Sequence, residues 1–74
     1  MEPQYPTPLN TQSKYDLAFI AAHHAVRIGE DLEEDDTRVA TFRRVIADTL
    51  AELATRGDPE LLAWARRVVD EQLA

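Results

Sequence analysis

The sequence predicts an all-α protein, a small three-helix domain at residues 13–74 preceded by a Pro-rich arm at residues 1–12. Apolar residues recur at spacings of three and four in three segments, and no segment shows the strict alternation of a strand. The 74 residues include no Cys, so one thin core must form without a disulfide. Because small domains without such a link are often stabilised by a second copy, we expect a homodimer.

The arm at residues 1–12 shows neither helical nor strand periodicity. It carries prolines separated by polar residues, namely Pro3, Pro6 and Pro8. This composition favours an extended, polyproline-like conformation. Tyr5 and Leu9 are its main apolar side chains, and they are suited to pinning the arm to the domain.

The first helix is predicted at about residues 13–29. Ser13 is a suitable N-cap, and Asp16 places a negative charge in the first turn, where the helix dipole favours it. Gly29 marks the expected end, although continuation to Leu32 costs only the modest penalty of a helical glycine. The acidic segment that follows ends in three residues able to cap the next helix, Asp35, Asp36 and Thr37.

The second and third helices are predicted at about residues 37–56 and 59–73, as a tight antiparallel hairpin. The apolar stripe of the second helix consists of Val39, Phe42, Val45, Ile46, Leu50 and Leu53. Gly57 is suited to a left-handed C-cap, Asp58 to the next N-cap, and Pro59 to the first helical position. On the third helix, Trp64 falls at the edge of the apolar arc, so its indole should remain partly accessible.

The first helix carries apolar residues on two opposed sides, and a three-helix monomer buries only one of them well. We expect the core to take the side formed by Tyr15, Phe19, Ala22 and Val26. The other side, with His24 at its centre, is then covered by a second chain or by the folded arm. The predicted partner-binding residues are therefore Leu17, Ile20, Ala21, His24 and Ile28, together with Trp64 at the rim of the core.

No catalytic, cofactor or metal site is predicted. His23 and His24 are adjacent and diverge by about 100° on a helix, so they do not chelate one metal as an i, i+4 pair does. We interpret them as half-buried, hydrogen-bonded histidines, with a pH-sensitive interface contact as the alternative. The acidic run from Glu30 to Asp36 lacks the glycine of an EF-hand and places Phe42 where the bidentate Glu belongs.

The net charge of −6 argues against binding to phosphate backbones or anionic membranes. The hairpin and the exposed pair Arg66 and Arg67 resemble a helix-turn-helix. However, an acidic residue lies four positions from most arginines, in the pairs Arg27–Asp31, Arg44–Asp48, Glu52–Arg56, Arg66–Asp70 and Arg67–Glu71. Local neutralisation of this kind leaves no positive stripe, so no nucleic acid partner is expected.

These patterns favour a non-enzymatic protein–protein interaction module, a small regulator, adaptor or assembly subunit that docks through the first helix. The alternative is a DNA-associated regulator with a basic patch assembled across a dimer, and the third class is a small enzyme with a site at a dimer seam. The N-terminal residues lack the basic start and apolar run of a secretory signal, so we expect a cytoplasmic protein. The preference for Arg over Lys and the many Ala residues are typical of a GC-rich bacterial genome.

Overall fold

The computed structural model describes residues 8–74 and confirms the all-α, three-helix prediction. A short 3₁₀ turn is followed by three α-helices: Leu9–Thr11, then α1 at Lys14–Glu30, α2 at Arg38–Ala54 and α3 at Pro59–Leu73. Within residues 8–74 there is no β-strand. Most of the predicted arm, including Tyr5, lies outside the described residues.

The helices begin where short polar side chains cap their free backbone N–H groups. The Ser13 hydroxyl accepts a hydrogen bond from the Asp16 N–H at 3.1 Å, and the Asp58 carboxylate accepts one from the Leu61 N–H at 3.0 Å. Asp36 accepts from the Arg38 N–H at 2.8 Å. The predicted caps are therefore confirmed, and Asp36 is the cap within the acidic segment.

The ends of α1 and α2 differ from the predicted ends by one or two residues, whereas α3 has the predicted bounds. The backbone N–H groups of Thr55 and Arg56 bond to carbonyls three residues back, which tightens the chain and ends α2 at Ala54. Gly57 then adopts φ 74°, the left-handed conformation expected of it. At the other loop, α1 continues through Gly29 to Glu30.

Helix α1 is the central element of the domain. It packs against both α2 and α3, whereas α2 and α3 contact each other far less. The smallest Cα extent of the molecule is 13 Å, close to the span of two helices whose axes are about 8–10 Å apart. The core is therefore a single layer of side chains between α1 and the α2–α3 pair.

This layer contains two groups of buried residues. The proximal cluster, near the Gly57 turn, consists of Leu17, Ala18, Leu53 and Ala65. The distal cluster, at the other end, consists of Ala21, Ala25, Ile46 and Val69. Leu50 is half-buried and packs against both clusters. Because α1 contributes mainly alanines, its neighbours approach its backbone closely.

A buried threonine lies between the two clusters. Thr49 is one helical turn from both Ile46 and Leu53 on α2, and its exposed fraction is 0%. No hydrogen-bond partner for its hydroxyl is found in the described part of the chain. A buried hydroxyl without a partner costs roughly 1–3 kcal/mol.

Thr49→Val is therefore expected to raise the free energy of unfolding by about 1 kcal/mol, since valine keeps the shape and removes the hydroxyl. Urea denaturation followed by circular dichroism measures the change. Thr41→Val is the matched control, because Thr41 is an exposed threonine on the same helix. A lower stability of Thr49→Val than of Thr41→Val would mean that the hydroxyl has a partner, such as a water molecule.

The structure corrects the expected assignment of the two sides of α1, although Ala22, expected in the core, is buried there and Val26 is half-buried. Tyr15 and Phe19, expected in the core, are 66% and 65% exposed. Leu17 and Ala21, expected on the partner-binding side, are fully buried. The physical reason is that α1 packs against two helices at once, and the side that fits between them is the one lined with small residues.

The end of the arm packs against the domain near the Gly57 turn. Leu9 packs against the proximal cluster. Residues Leu9–Thr11 form a 3₁₀ turn and not the extended, polyproline-like conformation predicted for the arm. Arg56 donates hydrogen bonds to the carbonyl oxygens of Gln12 at 2.7 Å and Leu9 at 3.1 Å. The predicted pairing of Arg56 with Glu52 is wrong, because these backbone carbonyls bind the guanidinium instead.

Candidate functional site

The outer side of α1 carries two of the three large hydrophobic residues that are exposed in the described part of the chain. Tyr15 and Phe19 lie one turn apart and are the two most exposed large hydrophobic residues. His23 lies one turn further along and stacks on Phe19, with ring centroids 5.5 Å apart and an interplanar angle of 11°. We call Tyr15, Phe19 and His23 the aromatic face.

The aromatic face is flanked by a row of ring contacts that joins α1 to α2. The ring of His24 meets Phe42 edge-on, with centroids 4.9 Å apart, and the Arg27 guanidinium lies 5.6 Å from the Phe42 centroid. His24 Nδ1 is 2.7 Å from the carbonyl oxygen of Ile20. Because a carbonyl only accepts, Nδ1 carries the proton and donates it.

Charged side chains contact the rings on the outer surface of α1. The side chain of Arg27 lies between Phe42 and Asp31, and its Nε is 3.1 Å from the Asp31 carboxylate. At the start of the helix, Lys14 Nζ lies 5.3 Å from the Tyr15 ring centroid.

The predicted partner-binding residues fall into three groups in the structure. Leu17 and Ala21 are core residues and are not available to a partner. Ile20, His24 and Ile28 are half-buried, and Ile28 packs against the distal cluster. Trp64 is 43% exposed at the edge of α3, as its position on the helical wheel indicated.

The sequence analysis missed Tyr15 and Phe19, although a signal for them was present. On a helical wheel, Leu17 and Ala22 mark the two edges of an arc of about 140° on α1. The only charged or polar side chain within this arc is that of Lys14, in the first turn. The side that carries Tyr15 and Phe19 also carries charged residues, among them Asp16 and Glu30. The side of α1 that faces the core is therefore recognised by its lack of charged residues and not by the size of its side chains.

An acidic rim adjoins the C-terminal end of the aromatic face. Asp31 is paired with Arg27, and Asp36 is paired with Arg38 at 2.8 Å. The other four acidic residues of this segment are exposed and form no ion pair within the part of the chain that the structure describes: Glu30, Glu33, Glu34 and Asp35. We call these four residues the acidic rim.

Ion pairs at the helix starts shift the pKa values of the charged side chains that form them. A side-chain hydrogen bond from Arg38, supported by its backbone N–H, lowers the pKa of Asp36 to about 2. The hydrogen bond between Lys14 and Asp58, 2.9 Å long, lowers the pKa of Asp58 and raises that of Lys14. Both shifts stabilise the capped helix starts.

These pKa shifts predict that the domain loses stability in acid. A carboxylate with a lowered folded pKa stabilises the fold fully above its unfolded pKa of about 3.9, and the contribution is lost as the pH falls through the folded value. The urea midpoint of the protein is therefore expected to fall between about pH 4 and pH 2. In Asp36→Asn the fall should be smaller than in the control Asp35→Asn, since Asp35 has no resolved ion pair in residues 8–74. Identical pH profiles for the two variants would contradict the assignment to Asp36.

A shallow hollow of about 560 Å³ runs along the outer side of α3, and its lining includes Leu62, Arg66, Arg67, Asp70 and Glu71. Neither Arg66 nor Arg67 forms an ion pair within 4.0 Å in residues 8–74, so the pairs predicted with Asp70 and Glu71 are not formed. The hollow nevertheless mixes two positive with two negative side chains. It therefore presents no stripe of positive charge.

The described residues contain no group of three or more His, Cys, Asp or Glu side chains placed to hold a metal ion. None of the helices in residues 8–74 combines the length and hydropathy needed to cross a bilayer. Comparison of the chain with protein-family models, with curated proteins and with solved structures found no match.

Proposed function

We propose that this chain is a non-enzymatic protein-interaction module that docks through the aromatic face of α1. The observation that carries the proposal is the exposure of Tyr15 and Phe19, 66% and 65%, on consecutive turns of one helix. Exposed aromatic residues grouped on one surface are typical of protein-binding sites, where they supply most of the binding energy. We place its action in the cytoplasm.

The aromatic face supplies part of the free energy that association requires, since binding also costs roughly 4–15 kcal/mol of translational and rotational freedom. A Tyr or Phe side chain buries roughly 150–250 Å² when it is covered completely. With about two thirds of each ring exposed, the pair offers roughly 250 Å², which corresponds to about 6 kcal/mol of gross hydrophobic stabilisation. Flanking residues such as Ile20 and Val26 add to this area.

The test is an affinity purification from the native host with three baits: the wild-type chain, the Tyr15→Ser/Phe19→Ser variant and Trp64→Ser. The double variant removes the aromatic face, and Trp64→Ser removes the other large exposed aromatic residue. We expect a partner that binds wild-type and Trp64→Ser baits and is lost from the double variant. A partner lost only from Trp64→Ser would contradict the proposal, since the binding surface would then lie on α3.

A second copy of the chain could also dock on the aromatic face, and a separate experiment tests for such a homodimer. Sedimentation equilibrium at micromolar concentration gives 8.4 kDa for a monomer and twice that mass for a homodimer. We expect any dimer to dissociate in the Tyr15→Ser/Phe19→Ser variant. A dimer that persists in this variant would place the contact on a different surface.

Duplex DNA is not expected to bind at physiological salt. Lys14, Arg27, Arg38 and Arg44, half of the eight basic residues, are each within 4.0 Å of a carboxylate, and the net charge of −6 repels a phosphate backbone. A gel shift with random duplex DNA at about 150 mM salt measures this. A complex formed below micromolar concentration would favour a DNA-associated regulator instead.

A further inference from the structure

The geometry points to a basic amphipathic helix of another protein as the occupant of the aromatic face, with its positively charged end against the acidic rim. This inference rests on the proposed function and specifies the partner.

The aromatic face leads along α1 to Glu30, the first residue of the acidic rim. On a helical wheel Phe19, His23 and Glu30 fall within about 40° of one another, and the other three residues of the rim follow in the loop after α1. From Tyr15 to Glu30 the helix rises by roughly 22 Å at about 1.5 Å per residue. A partner helix of about four turns covers that length, and its apolar residues at i, i+4 and i+7 meet the rings.

The negative charge of the acidic rim favours a partner with positive charge. The four carboxylates of the acidic rim are exposed and have no ion pair in residues 8–74, whereas the nearby Arg27 and Arg38 are already paired. A partner that carries Lys or Arg at one end of its apolar stripe therefore gains attraction, and an acidic partner is repelled.

The same charges disfavour a second copy of this chain as the occupant. Each copy carries a net charge of −6, and four of its eight basic side chains are within 4.0 Å of its own carboxylates. A dimer thus brings together two chains of the same negative net charge. A basic partner removes that repulsion.

The experiment titrates the full chain into fluorescein-labelled synthetic peptides of 18 residues and follows fluorescence anisotropy. The first peptide is built from Leu and Lys with the leucines on one helical side, the second has the same composition in scrambled order, and the third has Glu in place of Lys. We expect the first peptide to bind in the range of tens of micromolar, the second at least tenfold more weakly and the third not detectably.

Two variants that each remove two negative charges show where the peptide binds. Glu33→Gln/Glu34→Gln neutralises half of the acidic rim, and Asp70→Asn/Glu71→Gln neutralises two acidic residues of α3. We expect the rim variant to weaken binding about fivefold and to reduce its salt dependence, while the α3 variant changes it less than about twofold. Phe19→Ser should weaken binding at least tenfold.

The outcomes separate this inference from the proposed function. Equal weakening by the two charge variants, or binding of the Glu peptide, would overturn the inference, since attraction would then be diffuse or absent. If no peptide binds but a partner or a dimer is lost in Tyr15→Ser/Phe19→Ser, the aromatic face docks a protein of another kind. If that double variant changes neither, both proposals fail.

Discussion

Leu17→Ala is expected to destabilise the domain by about 4 kcal/mol, whereas Phe19→Ala leaves its stability nearly unchanged. Leu17 is fully buried in the proximal cluster, and truncation of such a leucine costs about 2–5 kcal/mol through lost burial and the cavity left behind. A domain of this size has a total stability of only about 4–11 kcal/mol. Much of the Leu17→Ala protein should therefore be unfolded under mild denaturing conditions.

Phe19→Ala is the matched control, because the two residues lie on the same helix half a turn apart. The variant loses the stacking of Phe19 on His23 and gains the better helix propensity of alanine, and these effects nearly cancel. Urea titrations followed by circular dichroism give both free energies. A large loss for Phe19→Ala would mean that the aromatic face is already covered in the free protein, by a second copy or by the N-terminal residues.

Gly29→Ala is expected to lower the free energy of unfolding by about 1–2 kcal/mol, although helix propensity alone predicts a gain of about 1 kcal/mol. A Cβ at Gly29 would lie 2.8 Å from the backbone carbonyl oxygen of Gln72 and 2.8 Å from its side-chain oxygen. The side-chain oxygen moves aside easily, but the carbonyl is held in the last turn of α3. The end of α3 must therefore shift away from α1.

The two effects at Gly29 have opposite signs, so the direction of the change in stability shows which of them dominates. Gly57→Ala serves as the comparison, because Gly57 has φ +74° with open space around it, so its cost of about 1 kcal/mol arises from backbone strain and not from a close contact. Combining Gly29→Ala with Gln72→Ala should restore only part of the stability. A gain in stability for Gly29→Ala would show that α3 does not approach α1 this closely.

Local chemistry allowed the elements of the fold to be predicted from the sequence. Ser13, Gly57, Asp58 and Pro59 act through neighbours only a few residues away, so their roles follow from residue type and order. Helix α3 was predicted with both of its ends. The same reasoning failed for Arg56, whose partners are backbone carbonyls 44 and 47 residues away, a contact that no local pattern contains.

The sequence analysis proposed a docking surface on the side of α1 that includes Leu17 and Ala21, which the structure buries in the core, and we now propose the opposite side of the same helix. Both sides of α1 carry apolar residues, and the larger ones, Tyr15 and Phe19, were assigned to the core because of their size. A helix that packs against two neighbours at once needs small side chains over a wide arc, and this requirement depends on how α2 and α3 are placed. Pattern analysis of a single helix does not contain that information.

The position of Thr49 between the two clusters has a consequence for amide hydrogen exchange. The proximal cluster lies beside the Gly57 turn, which joins α2 to α3 covalently, whereas the distal cluster holds the C-terminal end of α3 through Val69 and Leu73. With a polar group between the clusters and Leu50 as their shared apolar contact, the distal half of α3 can separate without opening the proximal half. Amides near Val69 should therefore exchange through local opening, while those near Ala65 require unfolding of the whole domain.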